Sequence, residues 1–129
     1  MAQVKIFGLK AALAKRADQL SYAIHRAVVE ALSYPPEKKF HRFFGLEPSE
    51  FFYPDDRSED YIIIEISMFE GRSVETKKAL IRKLFENISN EVGIASLDIE
   101  ITIVETPKHN WGIRGLCADE LALNYKVDV

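Results

Sequence analysis

Apolar residues first alternate along the chain, then recur at helical spacing, then alternate again, and the chain runs through this order twice. Val4, Ile6 and Leu9 mark a short strand, Gln3–Leu9. Leu13, Ala17, Leu20, Ile24, Ala27 or Val28, and Ala31 then recur at helical steps, which predicts one apolar stripe on a helix from about Ala11 to Leu32. Pro35 and Pro36 end that helix, because proline has no N–H to continue the hydrogen-bond ladder. A second strand is predicted at Phe40–Glu47. In the second pass Tyr61–Phe69 is a strand with Ile62, Ile64, Ile66 and Met68 on one face. Ser73 can cap a helix from about Val74 to Val92, with Ile81, Leu84, Phe85, Ile88 and Val92 as its stripe, and Gly93 is the expected stop. Leu97–Glu105 closes the pattern, with Leu97, Ile99, Ile101 and Ile103 facing inward.

Each half is therefore β-α-β. The first repeat covers about 2–48, a linker 49–60, the second repeat about 61–106, and a C-terminal loop and strand 107–129, all in one domain. A β-α-β crossover makes its two strands parallel and is right-handed in nearly all cases. Two such units side by side predict an α+β (α/β) fold: a four-stranded mixed sheet with two helices on one face. The other face is left bare. Its expected residues are Ile63, Glu65 and Ser67 on one strand and Asp98, Glu100 and Thr102 on another. A half-polar face of this kind either stays wet or packs against copies of itself around a symmetry axis. The tail, "ALNYKVDV", alternates and is suited to adding an edge strand to a neighbour.

Composition narrows the function classes. Of 129 residues 47% are apolar, as in a globular protein. The net charge of -3, with Glu65 and Glu100 on the bare face, speaks against nucleic acid as a partner and so against a ferredoxin-like nucleic-acid binder. Cys117 is the only cysteine, which excludes an intrachain disulfide. No apolar run reaches membrane-span length and the first residues do not form a signal peptide, so a cytoplasmic protein is expected.

The stretch "MFEGRSVETKKALI" raises the question of chemistry. Arg72 sits where a helix begins, at the positive end of the macrodipole, where a cation is mildly unfavourable unless an anion meets it. Its plain alternative is a surface pair with Glu70 or Glu75. If the first and third strands are antiparallel neighbours, the chain's amino end lies beside Phe69–Arg72. His41 and Arg42 begin the second strand nearby, and the loop "TPKHNWGIRG" brings Trp111 and Arg114 to a sheet end or subunit boundary. Arg72 and free N–H groups of the helix start then suit a carboxylate. Trp111 reads as a pocket wall, Arg114 as a substrate or subunit contact, and Arg42 as a half-buried strand residue paired with a carboxylate. His41 reads as an exposed strand histidine. His25 and His109 have no metal-ligand spacing with any cysteine, so no metal site is assigned.

These residues carry a resemblance. "EISMFEGRSVETKKALIRKLFENI" resembles the strand, turn and helix that open 4-oxalocrotonate tautomerase, including the Glu-Gly-Arg-Ser step. "HNWGIRG" is similar to that family's aromatic-Gly-Ile-Gly loop, with Trp111 in the aromatic place. The doubled chain is similar to fused members of the tautomerase superfamily, and most of all to malonate semialdehyde decarboxylase and its relatives, which share the tryptophan and an arginine matching Arg72. The resemblance implies a tautomerase/MIF-like fold, a homotrimer whose sheets surround a central barrel, pockets near the subunit boundaries, and no cofactor. It implies that arginines hold a substrate carboxylate. It also implies that an amino-terminal proline, exposed when methionine is removed, moves the proton. Here Met1 is followed by Ala2, which would present a primary amine once Met1 is removed. Where the decarboxylases place an aspartate this chain has Lys39, His41 and Arg42, and Glu70 stands where they have another arginine. The expected function is a tautomerase or isomerase of a small 2-oxo or unsaturated carboxylate. The site would comprise Ala2, Arg72, Trp111, Arg42 and Arg114. The alternatives are a non-catalytic trimeric binding protein for an acidic metabolite, and a decarboxylase or hydratase.

Overall fold

The computed structural model describes residues 2–122 and 125–129. The main sheet has four strands: β1 (Ala2–Leu9), β2 (Phe40–Leu46), β3 (Ile62–Phe69) and β4 (Ile99–Thr106), in spatial order β2-β1-β3-β4. Helices α1 (Lys10–Leu32) and α2 (Val74–Asn87) are the crossovers. Within each half the strands are parallel, β1 with β2 and β3 with β4. The halves meet through the antiparallel pair of β1 and β3, with Ala2 opposite Met68 and Gly8 opposite Ile62. This is the predicted fold.

Alternation along the central strands sorts residues between the two faces. Ala2, Val4, Ile6, Ile62, Ile64, Ile66 and Met68 are buried beneath the helices. Leu20, Ile24, Leu32, Leu80, Leu84 and Ile88 pack down on them from α1 and α2. A polar lock joins the helices: the Asn87 side chain donates to the Ala23 carbonyl at 3.2 Å inside the contact. A buried amide needs such a partner to offset its desolvation.

Element ends depart from expectation where the backbone changes winding. Leu32 is the last residue of α1, and Ser33 caps it in the left-handed region at φ 51, so the helix stops before either proline. Beyond Asn87 the α-helix widens into a π-helical turn, Ile88–Val92, closed by Gly93 at φ 81 with its N–H on the Ile88 carbonyl. The expected stop is thus at Gly93, reached through looser winding. Ser96–Asp98 is a short 3-10 turn, and β4 starts only at Ile99. Leu97 therefore points outward, 56% exposed, where an inward position was expected. Asp98 is not on the bare face: it is buried and accepts from the Ser58 N–H at 2.8 Å and the Ser58 hydroxyl at 2.5 Å. That contact holds the linker down, aided by the mutually packed rings of Phe51, Tyr53 and Tyr61.

After β4 the chain forms a small hairpin, β5 (Gly112–Ile113) with β6 (Leu116–Cys117), turned by Arg114 at φ 54 and Gly115 at φ 80. Residues 125–129 are not a strand of this subunit and run back to the start of α2. Leu123 and Asn124, within the expected strand, lie outside the described residues, as does Met1.

Candidate active site

Three chain segments converge at the end of the sheet where β1 starts and β3 stops. The antiparallel register sets Ala2 beside Met68, so the amino end of β1 meets the turn leading into α2. Ala2 is 2% exposed and its main-chain nitrogen donates to the Tyr34 hydroxyl at 3.1 Å. Tyr34 is delivered by the left-handed step at Ser33, and its own N–H returns to the Val29 carbonyl. Burial pushes the Tyr34 phenol pKa up; the Ala2 N–H and the nearby Arg72 charge oppose that shift.

Arg72 follows β3 by three residues and sits just before Ser73, the cap of α2, whose hydroxyl accepts from the Thr76 N–H. Its side chain does not go to the surface with Glu70 or Glu75. It is 5% exposed, with Nη1 donating to the Phe69 carbonyl at 3.3 Å. Nε and Nη2 are buried without a hydrogen-bond partner among the described residues. Burial lowers its pKa, opposed by nearby Tyr125, Tyr34 and Glu105. Guanidinium keeps its proton even so. The site thus contains a cation withdrawn from water with donors to spare, and a carboxylate is the group whose two oxygens match them.

The wall beside it is aromatic. Trp111 packs edge-on against Phe69 with ring centroids 4.9 Å apart, in a cluster with Ala118, Val127, Ile113 and Tyr125. Tyr125 meets Tyr34 edge-on at 5.0 Å. Burial pushes the Tyr125 phenol up to about 12, with Tyr34 adding and the charges of Arg72 and Arg114 opposing. Arg114, at the exposed hairpin tip, is therefore near enough for its field to reach the site.

The structure brings together Ala2, Arg72 and Trp111, with Arg114 at the edge. Arg42 is exposed on the open sheet face where a half-buried position was expected, and its Nη2 donates to the Gln3 side-chain amide at 3.2 Å in place of the expected carboxylate. His41, expected to be exposed, is half-buried against α1, its Nδ1 2.8 Å from the Ser21 hydroxyl. Tyr34 and Tyr125 are the site residues that sequence reasoning missed. Tyr34 did carry a signal, as an aromatic residue wedged between a helix end and two prolines. Tyr125 carried none beyond the alternation of the tail.

The chain is thus a doubled β-α-β unit with a buried arginine and an aromatic wall near its amino end, and comparison with known proteins gives it a family. Residues 38–114 match the family described as tautomerase enzyme, and the chain belongs to that family. It is similar to a probable tautomerase, YusQ, of Bacillus subtilis (strain 168), at 30% identity over 73% of this chain and 78% of that one. It is also similar to the 2-hydroxymuconate tautomerase of Comamonas testosteroni, at 46% identity over 44% of this chain and 90% of the relative. Among solved structures it superposes on FG41 malonate semialdehyde decarboxylase inhibited by 3-bromopropiolate, with TM-score 0.81 and 26% identity over 94% and 98% of the two chains. The R7 fused 4-OT asymmetric trimer matches with TM-score 0.78 and 20% identity over 91% and 96%. No helix among the described residues is long and apolar enough to cross a membrane.

Proposed function

We propose that this protein is a tautomerase or isomerase of a small 2-oxo or unsaturated carboxylate, working as a homotrimer. The observation that carries the reading is the buried Arg72 guanidinium, with Nε and Nη2 unpartnered among the described residues, close to the Tyr34 that holds the Ala2 nitrogen. Arg72 holds the substrate carboxylate, Trp111 with Phe69 forms the apolar wall, and Arg114 lies at the pocket edge. The proton moves through Ala2, whose nitrogen becomes a primary amine when Met1 is removed.

Burial at the start of β1 disfavours an ammonium there, and the neutral primary amine is the form that accepts a proton. The neutral amine takes a proton from the 2-hydroxyl of an enol acid, or from the carbon next to a 2-oxo group. The ammonium so formed returns it to the far end of the conjugated system. One proton is relocated and the C=C and C=O double bonds shift with it, with no net oxidation or reduction, so the reaction needs no cofactor. The decarboxylase reading has less support, because Lys39 and Arg42 offer no carboxylate to activate water.

Turnover of phenylenolpyruvate by the native protein, abolished by Arg72→Ala, supports this reading. Absence of turnover in the parent, with gain on Ala2→Pro, supports instead a trimeric protein that binds an acidic metabolite without reaction. The buried, Tyr34-bonded Ala2 nitrogen favours that second reading if Met1 is kept.

A further inference from the structure

The returning segment 125–129 makes its contacts at the start of α2. The Val129 main-chain oxygen accepts from the Ser73 N–H at 2.9 Å and from the Thr76 hydroxyl at 2.9 Å. These donors, the N–H of the capping Ser73 and a first-turn hydroxyl, stand at the amino end of the helix, where the dipole attracts negative oxygen. Two residues earlier, the Val127 carbonyl oxygen lies 3.0 Å from where a Cβ on Gly71 would stand, and Gly71 has φ +131. The turn before Arg72 is therefore shaped so that the segment passes at main-chain distance. The Val127 side chain packs in the cluster of Phe69 and Ala118, and Tyr125 lies against Arg72 and Tyr34. Beneath this cover lies Arg72, 5% exposed, with two nitrogens that have no hydrogen-bond partner among the described residues.

We propose that segment 125–129 is a strap that competes with the ligand. Its Val129 oxygen occupies the amino end of α2, Tyr125 and Val127 cover Arg72, and a small carboxylate reaches the guanidinium only when the strap lifts. The idea rests on Arg72 being the carboxylate site, as proposed above. The strap is fastened by two hydrogen bonds to the Val129 oxygen, by the Tyr125 hydroxyl against Arg72 and Tyr34, and by a small apolar cluster, contacts that can open locally without unfolding the sheet. While it is closed, apparent affinity falls by the fraction of molecules that are open.

The test titrates pyruvate into the full chain and reads Trp111, the only tryptophan, by fluorescence. Thr76→Val removes one of the two donors to Val129 and leaves Arg72 and the Ser73 cap on the Thr76 N–H in place. A chain shortened to end at Leu121 removes the strap outright. Thr76→Val is expected to bind pyruvate about fivefold more tightly, the worth of one hydrogen bond. The shortened chain should gain more, and Arg72→Ala should cancel both gains. If the shortened chain does not fold, Thr76→Val decides alone. Binding that is unchanged or weaker in the variants overturns the strap and leaves the carboxylate site standing. If neither the parent nor either variant binds pyruvate, both readings fall.

Discussion

Arg72 holds its charge away from water, with Nη1 donating to the Phe69 carbonyl and Nε and Nη2 without a hydrogen-bond partner among the described residues. A buried, unpaired cation weakens a fold, because desolvation removes more than the remaining contacts return. Arg72→Met keeps most of the volume and discards the charge. The variant is expected to be more stable than the parent by about 1–3 kcal/mol in urea titrations, while losing carboxylate binding. Lower stability would mean that Tyr125, Tyr34 and Glu105 already compensate the guanidinium. Gly71 makes the opposite case. Its φ of +131 excludes a side chain, and a Cβ there would meet the Val127 carbonyl oxygen at 3.0 Å. Gly71→Ala should cost about 1–3 kcal/mol by the same urea measurement. Part of that cost should vanish in the chain shortened to Leu121, because the clash leaves with the strap.

Edge strand β2 is fastened to the helix layer through His41, which meets Ser21 of α1 and stands edge-on to His25 at 5.7 Å. Burial, with His25 and Lys39 adding their positive charges, holds the His41 pKa down at about 4, against an ordinary value of 6.5. The folded state thus prefers neutral His41. Its contribution is complete above pH 6.5 and is lost as pH falls toward 4. A drop of about 2 kcal/mol between pH 7 and pH 5 is expected in urea midpoints, and His41→Gln should flatten that part of the curve. An unchanged slope would place the titration elsewhere. The elements themselves were legible because their packing is periodic: the alternation of Ile62, Ile64, Ile66 and Met68, and the stripe of Leu84, Ile88 and Val92, follow directly from burial on one side. Periodicity does not report local winding, so it missed the π-helical turn at Ile88–Val92 and the 3-10 turn that turned Leu97 outward and buried Asp98. Of the site, Arg72 and Trp111 stood in recognisable local stretches. Tyr34 and Tyr125 reach it by tertiary return from segments far apart in the chain, which no spacing rule records.

The whole molecule buries one face of its sheet under two helices and leaves the other without a layer. In register across that face, Lys5 lies between the like charge of Arg42 and the opposite charge of Glu65, so the face carries charges of both signs. Apolar groups stand among them: Phe44 stacks on Phe7 with ring centroids 4.8 Å apart, Phe40 is 40% exposed and Val104 is 54% exposed. Among the described residues, the outer edges of β2 and β4 pair with no further strand of the subunit. Open edges and apolar side chains on one face favour closure against further copies. Three copies around an axis, as in the proposed homotrimer, would place these faces together. Each Phe44 that leaves water would contribute about 1–2 kcal/mol, repeated at every symmetric boundary. Sedimentation of the native protein at micromolar concentration is expected to give three times the subunit mass. Phe44→Glu should shift it to one subunit while far-UV circular dichroism stays the same, because the side chain lies outside the core beneath the helices. A native monomer, or a Phe44→Glu variant still sedimenting as a trimer, would show that the open face is not the assembly surface.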